Sequence, residues 1–342
     1  MKRITIGIFS VLFVIFTFQG CDTGDEEIIG PTYSDLLEYV GGVVTPGDAR
    51  NVFVSRIGGT DYAFVADGPQ GLQIINAGNP RDPFIISSLS SIGYCNDVAV
   101  TTVNGTKYAF LAASSSGLSV VNVSNPSSPS QTAVVSFVND AVISVAVDSA
   151  KRKVYAGTYN GFLHIIDVAV LPSQPVTLGS YDAYDKIKGI AVSGIYCYLA
   201  EPGYGIEIIN VQNPVNPYNI SFFDTPGDPQ DIAVSPQYNM AYIADGHAGL
   251  TVLDVTNPAS PYFSITKYSN DDVLGVSANN DYVFTAEFTQ GCESFGIFYN
   301  PAVPKYLSYF ITDGYAYGVF AAKNNLVYIA DGFNGLEILS VY

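Results

Sequence analysis

The sequence predicts an all-β fold, a seven-bladed β-propeller with four-stranded blades, its ring closed by the N-terminal strand completing the last blade. Three observations predict it. A glycine-opened phrase recurs seven times, at Gly71, Gly117, Gly161, Gly205, Gly249, Gly291 and Gly335, in steps of 46, 44, 44, 44, 42 and 44 residues. Such a period marks an array in which each copy is one supersecondary unit. Each unit carries four short strand-like runs bounded by Gly, Pro, Asn or Asp. The chain stops after a third strand, and a spare fourth-strand-like segment precedes the first copy.

The first 20 residues stand apart. "MKRITIGIFSVLFVIFTFQG" begins with Lys2 and Arg3 and continues as an apolar run from Ile4 to Phe18. This is the layout of a secretory signal, and the run is short for a membrane span. Gly20 before Cys21 resembles the bacterial lipoprotein signal, so residues 1–20 are expected to be removed and Cys21 lipidated. Residues 21–35, with "DTGDEE", are expected to be a flexible acidic tether. The expected address is the cell envelope, on the outer membrane or cell surface. Residues 36–342 are assigned to the propeller.

The orphan segment "LLEYVGGVV" (36–44) comes next, the candidate for ring closure. A closed ring leaves no terminal edge strand. The fifth unit then illustrates the others. "QDIAVS" (230–235) is the first strand, small-residued as an innermost strand must be. "MAYIADG" (240–246) is the second. "GLTVLDV" (249–255) is the third, apolar on both faces because neighbouring blades cover it. "NPASP" is the turn, and "YFSITKYS" (262–269) the fourth. Asn76, Asn122, Asn210 and Asp254 recur five residues after their Gly and read as side chains bonding the next turn. Cys95, Cys197 and Cys292 are widely spaced and odd in number, which reads as small buried hydrophobes.

"GLTVLDVTNPASP" and "GLSVVNVSNPSSP" closely resemble the LVIVD repeat of bacterial and archaeal surface proteins. The resemblance implies a surface propeller and transfers no catalytic residues. Two copies depart from it, "GFLHIIDVAVLPSQP" and "GCESFGIFYNPAVP", and are expected to carry β-bulges.

Function is written more faintly. The chain is 48% hydrophobic with 13% charged residues, 25 Tyr, no Trp and a net charge of −17. An acidic body repels phosphate backbones, so no nucleic-acid partner is expected. In a propeller the turn between strands two and three shares a face with the connection between blades. The turns supply Asp67, Asp245 and Asp331, with Glu201 and Glu287 in the same place. The connections supply Asp48, Asp97, Asp140, Asp185, Asp231, Asp272 and Asp313. Tyr94, Tyr184, Tyr204 and Tyr315 fall on the same rim. This acidic, Tyr-bearing axial face is the candidate ligand site. The plainer alternative makes each carboxylate a turn device that accepts backbone N–H bonds. Arg56, Lys107, the "KRK" at 151–153 and Lys323 are expected on the opposite face.

Catalytic signals are weak. His164 and His247 are the only histidines, and no P-loop, H-E-x-x-H or EF-hand motif occurs. No catalytic residue and no cofactor is assigned; calcium at the carboxylates is the open alternative. The expectation is a lipid-anchored binding, adhesion or protein-interaction module for a protein, peptide or carbohydrate. Its membrane contact would be the anchor alone. The alternatives are a hydrolase or lyase propeller acting on envelope polysaccharide or peptide, and a structural subunit of a surface assembly.

Overall fold

A computed structural model describes residues 37–341. The expected signal, Cys21 and the whole expected tether (21–35) lie outside the described residues. The described chain forms seven four-stranded antiparallel sheets. Blades 1 to 6 span 51–89, 97–135, 142–182, 189–223, 231–267 and 273–310. In blade 1 the strands run outward from the axis as Asn51–Ile57, Thr60–Ala66, Leu72–Asn76 and Phe84–Leu89. Blade 7 takes Gly318–Ala321, Leu326–Ala330 and Leu336–Val341 from the C-terminal end, and Leu37–Val43 from the other. Leu37 pairs with Val341 and Val43 with Leu336, so the spare segment closes the ring as expected.

Seven apolar clusters hold the blades together, each centred on one blade–blade seam. At the seam where the ring closes, Val52, Val65 and Ile75 pack against Tyr328, Leu336 and Ile338. All six are nearly or fully buried. Each such side chain contributes roughly 1.5–3 kcal/mol on leaving water, so the seams dominate stability. The three cysteines are buried and free, and serve as part of this packing.

The repeat glycine has a steric cause. Gly249 has φ +97°, and a Cβ there would lie 2.2 Å from the Lys267 carbonyl oxygen. The third strand begins tight against the end of the fourth, in a conformation that L side chains rarely adopt. The Asn positions also act as expected. The side-chain oxygens of Asn76, Asn122, Asn210 and Asp254 accept the N–H two residues on, at 2.8–3.0 Å.

Bulges are more general than the two aberrant copies suggest. Every blade has a register shift between its third and fourth strands. Blades 3 and 6, which hold the aberrant copies, add a second shift between strands one and two.

Removing the chain through Val43 would leave Leu336–Val341 as an unpaired, apolar edge. The truncated protein is expected to lose melting temperature on the order of 10 °C and to aggregate. Circular dichroism melts with light scattering check this; an unchanged melt would mean that the strand does not hold the ring.

Candidate functional site

One axial face is built from the strand 2–3 turns and the blade-to-blade connections, as the topology predicts. The two are stitched by backbone bridges: Ala49 with Gly332, Gly68 with Cys95, Ser114 with Val142, and Gly246 with Val273. Side chains add a latch in most blades. In blades 1, 5 and 7 the turn carboxylate points inward and grips a Thr-x-Gly in the connection. Thr45 donates its hydroxyl to Asp67 (2.5 Å). Thr225 and the Gly227 N–H donate to Asp245 (2.7 and 3.1 Å). The Gly314 N–H donates to Asp331 (2.8 Å). Asp67, Asp245 and Asp331 are fully buried.

In blades 3, 4 and 6 the connection also grips the turn. Asp140 accepts from the Asn160 N–H (3.1 Å), Asp185 from Gly203 (2.8 Å), and Asp271 from Thr289 (2.5 Å). The sequence singled out Asp272, which is exposed; its neighbour Asp271 holds this latch. Asp313 is exposed as well.

Asp97 and Asp231 sit deeper, at the first position of innermost strands. Asp97 accepts from the Asn51 amide (2.6 Å) in blade 1, its own Val98 N–H (2.7 Å) and Val145 N–H (2.7 Å) in blade 3. Asp231 accepts from Ile232 and from Val276 in blade 6, at 2.8 and 3.1 Å. Both carboxylates tie neighbouring blades around the axis. Burial pushes Asp97 up to about 6 and Asp231 to about 7, and the charge of Asp97 adds to the rise at Asp231.

Above them opens an axial cavity of about 440 Å³. Its wall is set by one register. The residue just before an innermost strand donates its N–H to the last residue of the second strand. Arg50, Asn96, Gln230 and Tyr317 do so, and Lys188 donates to Ala200, one residue before that strand's end, all at 2.7–2.9 Å. All five line the cavity, with Lys186, Tyr159, Asp97 and Asp231. The guanidinium of Arg50 lies 3.8 Å from the Tyr317 ring centre and pairs with Asp48 at 3.1 Å. Neither Lys186 nor Lys188 has an ion pair or hydrogen-bonding side-chain partner among the described residues; the Lys186 ammonium lies 6.0 Å from the Tyr159 ring. Partial loss of water around the Lys188 ammonium, with the charges of Lys186 and Arg50, pulls its pKa down.

The mouth therefore differs from the expected acidic funnel. Arg56, Lys107, Lys151 and Arg152 do lie by the strand 1–2 turns, where Lys151 pairs with Asp148. Three cations nevertheless reach the axis on the other face. Tyr94, Tyr184, Tyr204 and Tyr315 are exposed but do not line the cavity; Tyr184 stacks on Tyr204 (4.2 Å) and Tyr315 on Phe288 (4.5 Å). Among the described residues, no group of three or more His, Cys, Asp or Glu is placed to hold a metal ion. Around the outside, the fourth strands expose Phe84, Tyr218, Tyr262, Tyr306 and Tyr309.

Comparison with known proteins supports the architecture. The LVIVD repeat model matches residues 46–90, 92–135, 186–225 and 226–266. No curated protein matches the chain. A chain from the crystal structure of the Mitotic Checkpoint Complex is similar over 96% of this chain and 99% of its own length, with a TM-score of 0.68 and 11% identity. At that identity the likeness concerns the fold alone.

The buried acids impose a pH dependence on stability. In blades 4, 6 and 7 the turn acid meets a second carboxylate six residues on: Glu201 with Glu207, Glu287 with Glu293, and Asp331 with Glu337. Burial raises Glu201, and a hydrogen bond shared with Glu207 raises it further. Burial raises Glu293, with the charge of Glu287 adding to it. Glu337 is pushed up to about 7 by burial and the charge of Asp331, and Asp67 to about 6 by burial. A carboxyl whose folded pKa lies above its unfolded value near 4 binds more protons when folded. Stability from these groups is then full below about 4 and falls as pH rises, through about 6 to 7 for Asp67 and Glu337 and above that for Glu293 and Glu201. Asp148, Asp167 and Asp271 are shifted the other way by hydrogen bonds, with the charge of Lys151 or Lys153 at the first two, and their contribution is lost below about 4. The melting temperature is expected to be higher at pH 5 than at pH 8. Glu201→Gln keeps a donor for Glu207 and is expected to flatten that slope.

Proposed function

We propose that the protein is a lipid-anchored binding module of the cell envelope whose ligand sits at the axial mouth. One observation carries the proposal: a solvent-open axial cavity of about 440 Å³, lined by polar and aromatic side chains and fixed by the same backbone register in five blades. Its size falls in the range of ordinary ligand pockets. A rigid scaffold that presents loop residues is the usual basis of recognition. The envelope address draws on Lys2, Arg3, the apolar run and Gly20-Cys21. A lipid chain at Cys21 would bury its methylenes at roughly 0.8 kcal/mol each. The similar solved chain comes from a complex, which accords with the use of such rings as interaction platforms. A second role, a subunit packing sideways in a surface assembly, draws on the exposed aromatics of the fourth strands.

Filling the mouth tests the first proposal. The full-length protein and Leu274→Trp, a substitution in the cavity wall, are applied to an array of neutral, acidic and basic saccharides and peptides. At least one class is expected to bind the parent protein and to be lost by the variant at an unchanged melting temperature. Equal binding by both would move the site away from the mouth. For the anchor, Cys21→Ser is expected to abolish labelled-palmitate incorporation and to shift the protein from the detergent to the aqueous phase.

A further inference from the structure

We infer that the axial mouth takes an acidic saccharide chain, a run of sugar rings bearing carboxylates. The inference rests on the binding role proposed above and specifies its ligand. It starts from which charges in the mouth are already committed. Each carboxylate oxygen of Asp97 and Asp231 accepts at least one backbone or amide N–H. Asp48 is paired with Arg50. Lys186 and Lys188 line the same cavity without an ion pair. The free charge is therefore positive, although the chain carries −17 overall. A cationic ligand would meet two free ammonium groups and carboxylates already in use.

The neighbours of these cations favour sugars. Tyr159 is 62% exposed and stands within cation–π reach of Lys186. Its open face offers the apolar platform on which a pyranose ring packs. The Gln230 amide spends its Nε2 on the Asp228 carbonyl (2.8 Å), leaving its oxygen as an acceptor for a hydroxyl. A chain is favoured over a lone anion because the mouth does not end at Tyr159. The same ring borders a second cavity of about 430 Å³, lined also by Ser115, Asn139, Asn160 and Asp140, one of whose carboxylate oxygens accepts from the Ala141 and Asn160 N–H groups. A ligand with several rings can cross Tyr159 and occupy both; a phosphate ion can fill only one.

The probes are tetragalacturonate, its fully methyl-esterified form and inorganic phosphate, titrated into the full-length protein by calorimetry. Tetragalacturonate is expected to bind, more weakly as salt rises, and the neutral ester at least tenfold more weakly. Lys186→Gln with Lys188→Gln is expected to weaken the acid at least tenfold at an unchanged melting temperature. Tyr159→Ala is expected to weaken both saccharide probes, a loss that a charge effect alone would not produce. Equal binding of acid and ester, no loss in the double variant, or competition by phosphate at the tetramer's own affinity would each overturn the inference. If mouth-dependent binding on the array belongs to neutral or basic ligands, the acidic-saccharide inference fails and the binding role stands. If no ligand depends on the mouth, both fail.

Discussion

The pairing of Leu37–Val43 with Leu336–Val341 is the constraint on which the rest depends. A blade is stable only when both of its faces are covered, and in a ring that condition holds for every blade or for none. Without the spare strand, blade 7 would lack its outer member. The pairing also joins residues some 300 positions apart, so ring closure must wait until the chain has collapsed around it. The axial cavity inherits this requirement, because Arg50 and Tyr317, which stack in it, come from blades on opposite sides of the closing seam.

Buried carboxylates are the second layer of the same design. A charge taken out of water is costly unless it is hydrogen-bonded. The blades meet that cost in three ways. Asp245 is surrounded by donors from Thr225, Thr251 and Gly227. Glu201 is raised instead, by burial and by the neighbouring Glu207, and Tyr181 and Asn219 both donate to Glu207 at 2.6 Å. Blade 2 has Ala113 and Ser119 at the two positions and needs no acid; there the Asn96 amide bonds the Ser114 hydroxyl. Seven copies of one turn thus hold the same backbone with different chemistry. The acids that look like a ligand site in the sequence are, for the most part, fastening each blade to the connection that leads into it.

The fold was legible because its signals repeat. The glycine period, the apolar third strands and the missing fourth strand each point to a closed ring of seven, and each has a steric or hydrophobic cause visible in the structure. The site was much less legible. Position on a face can be read from topology, but burial cannot. Asp67 and Asp313 belong to the same rim in the sequence, yet one is fully buried and the other exposed. Tyr94 and Tyr184 reach that rim without reaching the cavity. A usable signal was present. The residue before each innermost strand is the one a propeller must turn towards its axis. Aligning the seven copies at that position gives Arg50, Asn96, Ala141, Lys188, Gln230, Asp272 and Tyr317, and five of these line the mouth.

That alignment also explains how a chain of −17 presents cations at its centre. Net charge governs long-range behaviour, but salt screens exposed charges beyond about 8 Å. A bound ligand responds mainly to the groups within that distance. At the mouth those groups are two unpaired ammoniums, one guanidinium held by Asp48, and two acids that accept N–H donors and whose pKa values burial has raised. The acidic body keeps such molecules apart from one another, and the small basic centre decides what each one holds. The two scales oppose each other in sign. The encounter with a polyanion should therefore speed up as salt rises while its grip weakens, a combination that a uniformly acidic or uniformly basic surface cannot produce.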